Sequence, residues 1–170
     1  QRLKGLNVVD LLNGKFAFLA MTPFSIGTTY YDFSFVCVVD TATSTTMYGK
    51  WFLSSNSQSI PKCLIKYGPD LLLFSEDIPL STGTTNFFTS IFGSSTSMAY
   101  LRTTPARTLT NKKDIWVVKL TNTLITTGER GIGCDDDSFI NSVVPIDQPN
   151  TLLLGCYTKC DVAFDKTTPT

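Results

Sequence analysis

The sequence predicts an all-β chain. Three observations carry that reading: apolar residues recur with period two, clusters of Gly, Pro, Ser and Thr interrupt them, and no sustained helical period is found. Its 170 residues suit one domain, residues 1–170, with length enough to bury a core. No run of some 18 apolar residues occurs, so no membrane-spanning helix is expected.

The elements follow in order. Leu6, Val9 and Leu12 fit one helical face, but alternation fits Leu6 to Leu12 nearly as well. Phe16 to Met21 is a short apolar run stopped by Pro23. From Tyr30 to Val39 the pattern alternates, with Tyr31, Phe33, Phe35, Cys37 and Val39 on one face and Asp32 and Ser34 on the other. One apolar face in two makes a half-buried strand. After the polar connection Asp40 to Thr46, the stretch Met47 to Ser54 resumes as its antiparallel partner. Further strands are expected at Cys63 to Lys66, Leu71 to Phe74, Met98 to Arg102, Ile115 to Leu120 and Leu152 to Phe164. Turns are expected at Tyr67-Gly68-Pro69-Asp70, Ser81 to Thr85, Gly93 to Ser97 and Gly128 to Asp137. Phe87 to Phe92 reads equally as a helical turn or a strand.

About eight strands with polar loops give an antiparallel β-sandwich or barrel. The count favours an eight-stranded jelly roll over the seven-stranded immunoglobulin type. Trp51 and Trp116 also have no flanking cysteine pair at the spacing that the latter uses.

The absence of His bounds the chemistry most tightly. It removes the commonest general base and metal ligand, so no Ser-His-Asp or Cys-His nucleophile can be built from this chain alone. No spacing singles out two of the 14 acidic residues as a catalytic pair, and no catalytic residue, cofactor site or cofactor is assigned. Asp135-Asp136-Asp137 is the one acidic cluster. It could give oxygen ligands to a Ca²⁺ shared between subunits, but its lack of alternating ligands favours an ordinary turn, and no metal site is assigned. Gly128-Glu129-Arg130-Gly131-Ile132-Gly133 lacks the spacing of a phosphate loop and reads as a turn. Lys112, Lys113, Arg102 and Arg107 are too sparse for a nucleic-acid footprint, and the formal net charge is zero.

Five cysteines (Cys37, Cys63, Cys134, Cys156 and Cys160), with no obvious disulfide spacing and no Asn-X-Ser/Thr sequon, lean towards free thiols in a reducing cytosol. Cys156 and Cys160 would lie about 13 Å apart along one strand, too far to bridge there. No secretory leader is read after Gln1-Arg2-Leu3-Lys4. The low charged fraction, 16%, and zero net charge weaken repulsion between copies and favour association.

Three passages resemble the coat-protein domains of small icosahedral viruses, specifically the picorna-like plant viruses of the comovirus and nepovirus group (secoviruses). Leu3-Lys4-Gly5-Leu6-Asn7-Val8-Val9-Asp10-Leu11-Leu12 is similar to their opening strand. Phe33 to Val39, a polar loop and then Gly49-Lys50-Trp51-Phe52-Leu53 resemble their paired strands. Thr151 to Phe164, ending Asp161-Val162-Ala163-Phe164 before Pro169, resembles the closing strand. The resemblance covers both ends and the first third; Ser54 to Arg107 matches only in texture. No Arg/Lys-rich N-terminal arm is present, as is common in that group.

The resemblance implies a non-enzymatic capsid subunit, released from a polyprotein, that tiles an RNA-enclosing shell with its own copies and other coat chains. It would reside in the virion, assembled in the host cytoplasm. Contact with RNA on the inner face would be weak, and no membrane partner is expected. The alternatives are a lectin-like or receptor-binding β-sandwich, with Tyr30, Tyr31 and Tyr48 as candidate contacts, and a His-free enzyme.

Overall fold

The computed structural model describes residues 3–26, 28–54, 57–80, 98–103, 112–134, 136–146 and 151–159. These form eleven strands and no helix. β1 (Lys4–Leu12), β2 (Lys15–Ile26), β3 (Thr29–Asp40), β4 (Thr45–Leu53) and β7 (Ala99–Leu101) make a five-stranded sheet. β5 (Ser57–Tyr67), β6 (Asp70–Pro79), β8 (Asp114–Leu120) and β9 (Thr126–Ile132) make a four-stranded one, and β10 (Ser138–Pro145) pairs with β11 (Leu152–Thr158). All pairings are antiparallel except β4 with β7.

Eleven strands stand where eight were expected. The order β1-β2-β3-β4 follows the sequence, as in a meander, and β11 lies beside β10. What the structure shows is an all-β, sandwich-like arrangement of antiparallel sheets. No helix of the described residues is long and apolar enough to cross a membrane.

Local chemistry fixes the first hairpin. Leu12 pairs with Lys15, leaving Asn13-Gly14 as a two-residue loop with φ of +55° and +72°. Asn-Gly suits a turn that needs positive φ at both central positions and matches the strand twist. That signal decides against the helical reading of Leu6 to Leu12. Thr41, in the neighbouring turn, donates to the Gly14 carbonyl from its backbone N–H (2.9 Å) and its hydroxyl (2.8 Å), tying the two hairpin ends together.

Pro23 does not end β2. The β1 ladder stops at Met21, so Pro23 lies past its reach and the missing N–H breaks no bond on that side. Pro61 is tolerated because β5 is an edge strand, with a register irregularity at Pro61/Cys63. Tyr67 pairs with Asp70 around Gly68-Pro69, as the sequence predicts, and Gly68 has φ +58°.

Val9, Leu11, Ala17, Leu19, Val36, Val38 and Phe52 from the first sheet share one core with Leu64, Leu71, Leu73, Trp116, Val118 and Leu120 from the second. Burying each such Val, Leu or Phe side chain contributes about 1.5–3 kcal/mol. Ser34 and Ser75 bridge the sheets through their hydroxyls at 2.9 Å.

The core face of β3 is the one that carries Ser34, Val36 and Val38. Phe35, Cys37 and Val39 are only half-buried, on the outer face. The strand is apolar on both sides, so alternation alone selected the wrong one. Two further expectations are corrected. Strand β9, Thr126–Ile132, overlaps the first half of the expected Gly128 to Asp137 turn, because its glycines sit at an exposed sheet edge and against the Trp116 position of β8. β10 was not expected at all. The expected turns at Ser81 to Thr85 and Gly93 to Ser97, the segment Phe87 to Phe92 and everything past residue 159 lie outside the described residues.

Candidate functional site

Three features compete for a role: a buried ionic cluster between the sheets, an apolar groove on the first sheet, and a groove of lysines and aromatics beside β10. The buried cluster begins with register. Asp77 on β6 pairs opposite Asp114 on β8, and both point into the space between the sheets. Arg102, one residue past β7 of the other sheet, donates from Nη1 to Asp77 Oδ2 (2.9 Å) and from Nη2 to Asp114 Oδ2 (2.7 Å). The carboxylate side chains are fully buried and the guanidinium nearly so. The Arg102 guanidinium also lies 5.7 Å from the Trp116 ring centre.

Two carboxylates thus share one cation away from water. Burial pushes Asp77 up to about 6, against the pull of Arg102 and of a hydrogen bond from Ser59. A Cβ on Gly133 would collide with Asp114 Oδ1, so only glycine lets that loop close over the pair. Nearby, Trp116 Nε1 donates to Glu129 Oε2 (3.0 Å), and Thr103 donates to Glu129 Oε1 from its N–H (2.8 Å) and from its hydroxyl. Buried and bonded across the two sheets, Arg102 and this carboxylate pair act as an inter-sheet clamp.

The adjacent residue, Glu76, points the opposite way and is also fully buried. Its Oε2 takes Lys62 (3.1 Å) and Lys113 (3.2 Å), and its Oε1 accepts the Ile140 N–H (3.0 Å). Glu76 therefore fastens the second sheet to β10. The same hairpin is held by apolar contact of Ile140, Leu154 and Cys156 with Leu72, Phe74 and Ile115.

The acidic turn is committed to lysines. Asp136 pairs with Lys112 at 2.8 Å, while Asp137 accepts the Lys113 backbone N–H (2.9 Å) and the Lys159 ammonium (3.2 Å). Those contacts hold both carboxyls below the usual range. Asp135 and Arg107 lie outside the described residues, among which no cluster of metal ligands occurs.

Cys134 is disulfide-bonded, which overturns the expectation that every thiol stays free; Cys37, Cys63 and Cys156 are free, and Cys160 lies outside the described residues. Burial pushes the Cys63 thiol up to about 11 and raises Cys37 as well, so neither is an activated nucleophile.

The three tyrosines do not converge. Tyr30 is 74% exposed near the start of β3, Tyr31 packs beside Phe33 and Leu53, and Tyr48 pairs with Val38, about 26 Å further along β3.

The apolar groove, about 410 Å³, crosses the outer face of the first sheet and is lined by Leu3, Val8, Phe18, Ala20, Phe35 and Cys37 among others. Val8 is 54% exposed and Leu3 59%. Phe35 lies 4.4 Å from the Trp51 ring centre and leaves no more than 3.1 Å for a Cβ on Gly49. The sequence did hold this signal, since β3 alternates two apolar sets.

No family model matches the chain, no curated protein matches it, and no solved structure matches it.

Proposed function

We propose that the chain is a structural coat subunit that packs laterally against its own copies and other coat chains in an icosahedral, RNA-enclosing shell. The observation that carries this reading is the apolar outer face of the first sheet. A sheet whose outer groove is lined by Val8, Phe18, Phe35 and Cys37, with Val8 54% exposed, leaves apolar area in water that a neighbour would cover. Zero net charge lets copies approach. Symmetry then repeats one modest contact around a closed surface. The resemblance of the opening, paired and closing segments to secovirus coat domains supplies the shell and the RNA, and with them a location in the virion.

Jelly-roll connectivity is the finer part of the proposal. It would bring a closing strand beside β1, which stands at the edge of the five-stranded sheet among the described residues.

Electron microscopy of the purified chain with light scattering tests the reading. Shells, pentamers or other closed rings are expected, and Phe18→Lys should return them to monomers. A monomer at high concentration that binds glycans would support the receptor-binding alternative instead.

A further inference from the structure

We propose that the groove between β5 and the β10–β11 hairpin binds single-stranded nucleic acid. The groove, about 400 Å³, is lined by Lys62, Glu76, Phe139, Asn141, Tyr157 and Lys159, with Ile140 at its base. Its volume suits a base and sugar.

The sequence showed too few cations for such a surface, but locally three lysines, Lys62, Lys113 and Lys159, face two carboxylates, Glu76 and Asp137. Depth reinforces that excess. Glu76 is 0% exposed and the Asp137 side chain 16%, whereas Lys62, Lys113 and Lys159 are 32%, 28% and 49% exposed. The carboxylates lie deeper than the ammonium groups paired with them, so the local excess of one positive charge is carried by the groups that reach water. Lys112 and Asp136, equally exposed at 40% and 37%, cancel each other beside it.

The aromatic part is equally specific. Phe139 and Tyr157 face each other across the ladder with ring centres 6.0 Å apart. Lys113 and Lys159 hold their ammonium groups 4.7 and 5.8 Å from the Phe139 ring centre. Phe139 is thereby fixed as a backing, while Tyr157, 54% exposed, offers ring surface to solvent. Stacking on an aromatic ring needs no particular base, and lysines beside it meet the phosphates.

Asn141 completes the set. It falls at the register irregularity between Ile140 and Ser142, which leaves it without a ladder partner, exposed and lining the groove. A bulge re-aims a side chain in this way, and an amide can meet both donors and acceptors on a base edge. Gly155 across the ladder accommodates the bulge, since a Cβ there would come within 2.6 Å of Ser142 Oγ. An acidic peptide would use the lysines but has no need of the open ring and the amide, which is why nucleic acid is the occupant assigned.

The test is fluorescence anisotropy of a labelled ten-nucleotide RNA titrated with the full chain at several salt concentrations. It concerns single chains, so it stands apart from shell formation, which electron microscopy reads. Binding should weaken as salt rises. Tyr157→Ala should weaken it about tenfold, the loss of about one stacked base, while Tyr157→Phe should bind like the parent. Lys62→Gln and Lys159→Gln should each flatten the salt dependence by about 0.7 in log–log slope. Absence of binding at low salt would overturn the proposal. So would indifference to Tyr157→Ala, or equal competition by polyglutamate or inorganic phosphate. Melting curves keep unfolded variants out of the comparison.

Discussion

Both main sheets carry apolar residues on their outer faces, but only one has its cover within the described chain. Leu72, Phe74 and Ile115 of the second sheet are roofed by Ile140, Leu154 and Cys156 of the β10–β11 hairpin, with Glu76 bonded to the Ile140 N–H as a polar latch. On the first sheet, Phe33 and Leu53 at one end are fully buried beside Phe24, Trp51 and Leu80. Along the rest, Val8, Phe18, Phe35 and Cys37 line an open groove. The difference teaches that an outward apolar strand face is not by itself an interface. It becomes one where the chain supplies no roof.

The largest expected effect lies beneath both faces. Arg102→Ala leaves Asp77 and Asp114 buried without their shared cation, and should destabilise the isolated chain by about 3–5 kcal/mol in denaturant unfolding. A variant within 1 kcal/mol of the parent would remove the clamp from the account.

Next is the dependence of stability on pH. Asp77 is raised from 3.8 to about 6, so the folded state holds a proton between those values that the unfolded state has lost. Its stabilising contribution is full below pH 3.8 and is lost as pH rises through about 6. Two units at about 1.4 kcal/mol each give at most about 3 kcal/mol. Between pH 5 and 7.5 the parent should therefore lose stability relative to Asp77→Asn, whose melting temperature should stay flatter. The lowered Asp136 and Asp137 act in the opposite sense, but at lower pH, as they protonate.

The smallest effect on folding sharpens the comparison most. Val36→Ala on the core face should cost about 1–3 kcal/mol in the isolated chain, from lost burial and the cavity left behind. Phe35→Ser on the adjacent outer position should cost less, yet weaken association far more, as read by light scattering. If both variants associate like the parent, the groove is not the contact surface.

Much of the strand pattern was legible because period two and turn residues are local properties. Gly68-Pro69 specified its hairpin, and Asn13-Gly14 held a stronger signal that the helical reading of Leu6 to Leu12 passed over. The faces were not legible. In β3 both alternating sets are apolar, so periodicity gives the strand but not its inside. β9 was lost to its glycines. The clamp was unreadable for another reason: Asp77, Arg102 and Asp114 are unremarkable charges until three strands from two sheets bring them together. Lysine number likewise says nothing about which carboxylates lie deep beneath them.

Glu76 and Asp77 also bear on how the strand finds its place. A leucine-rich segment can slide by one position and still meet greasy neighbours, since Leu71, Leu72 and Leu73 serve either side. The two acids cannot. A slip of one position would carry Glu76 inward and Asp77 outward, forcing both to exchange partners of different reach and geometry. β6 is thus keyed by its polar end, and its greasy end merely fills.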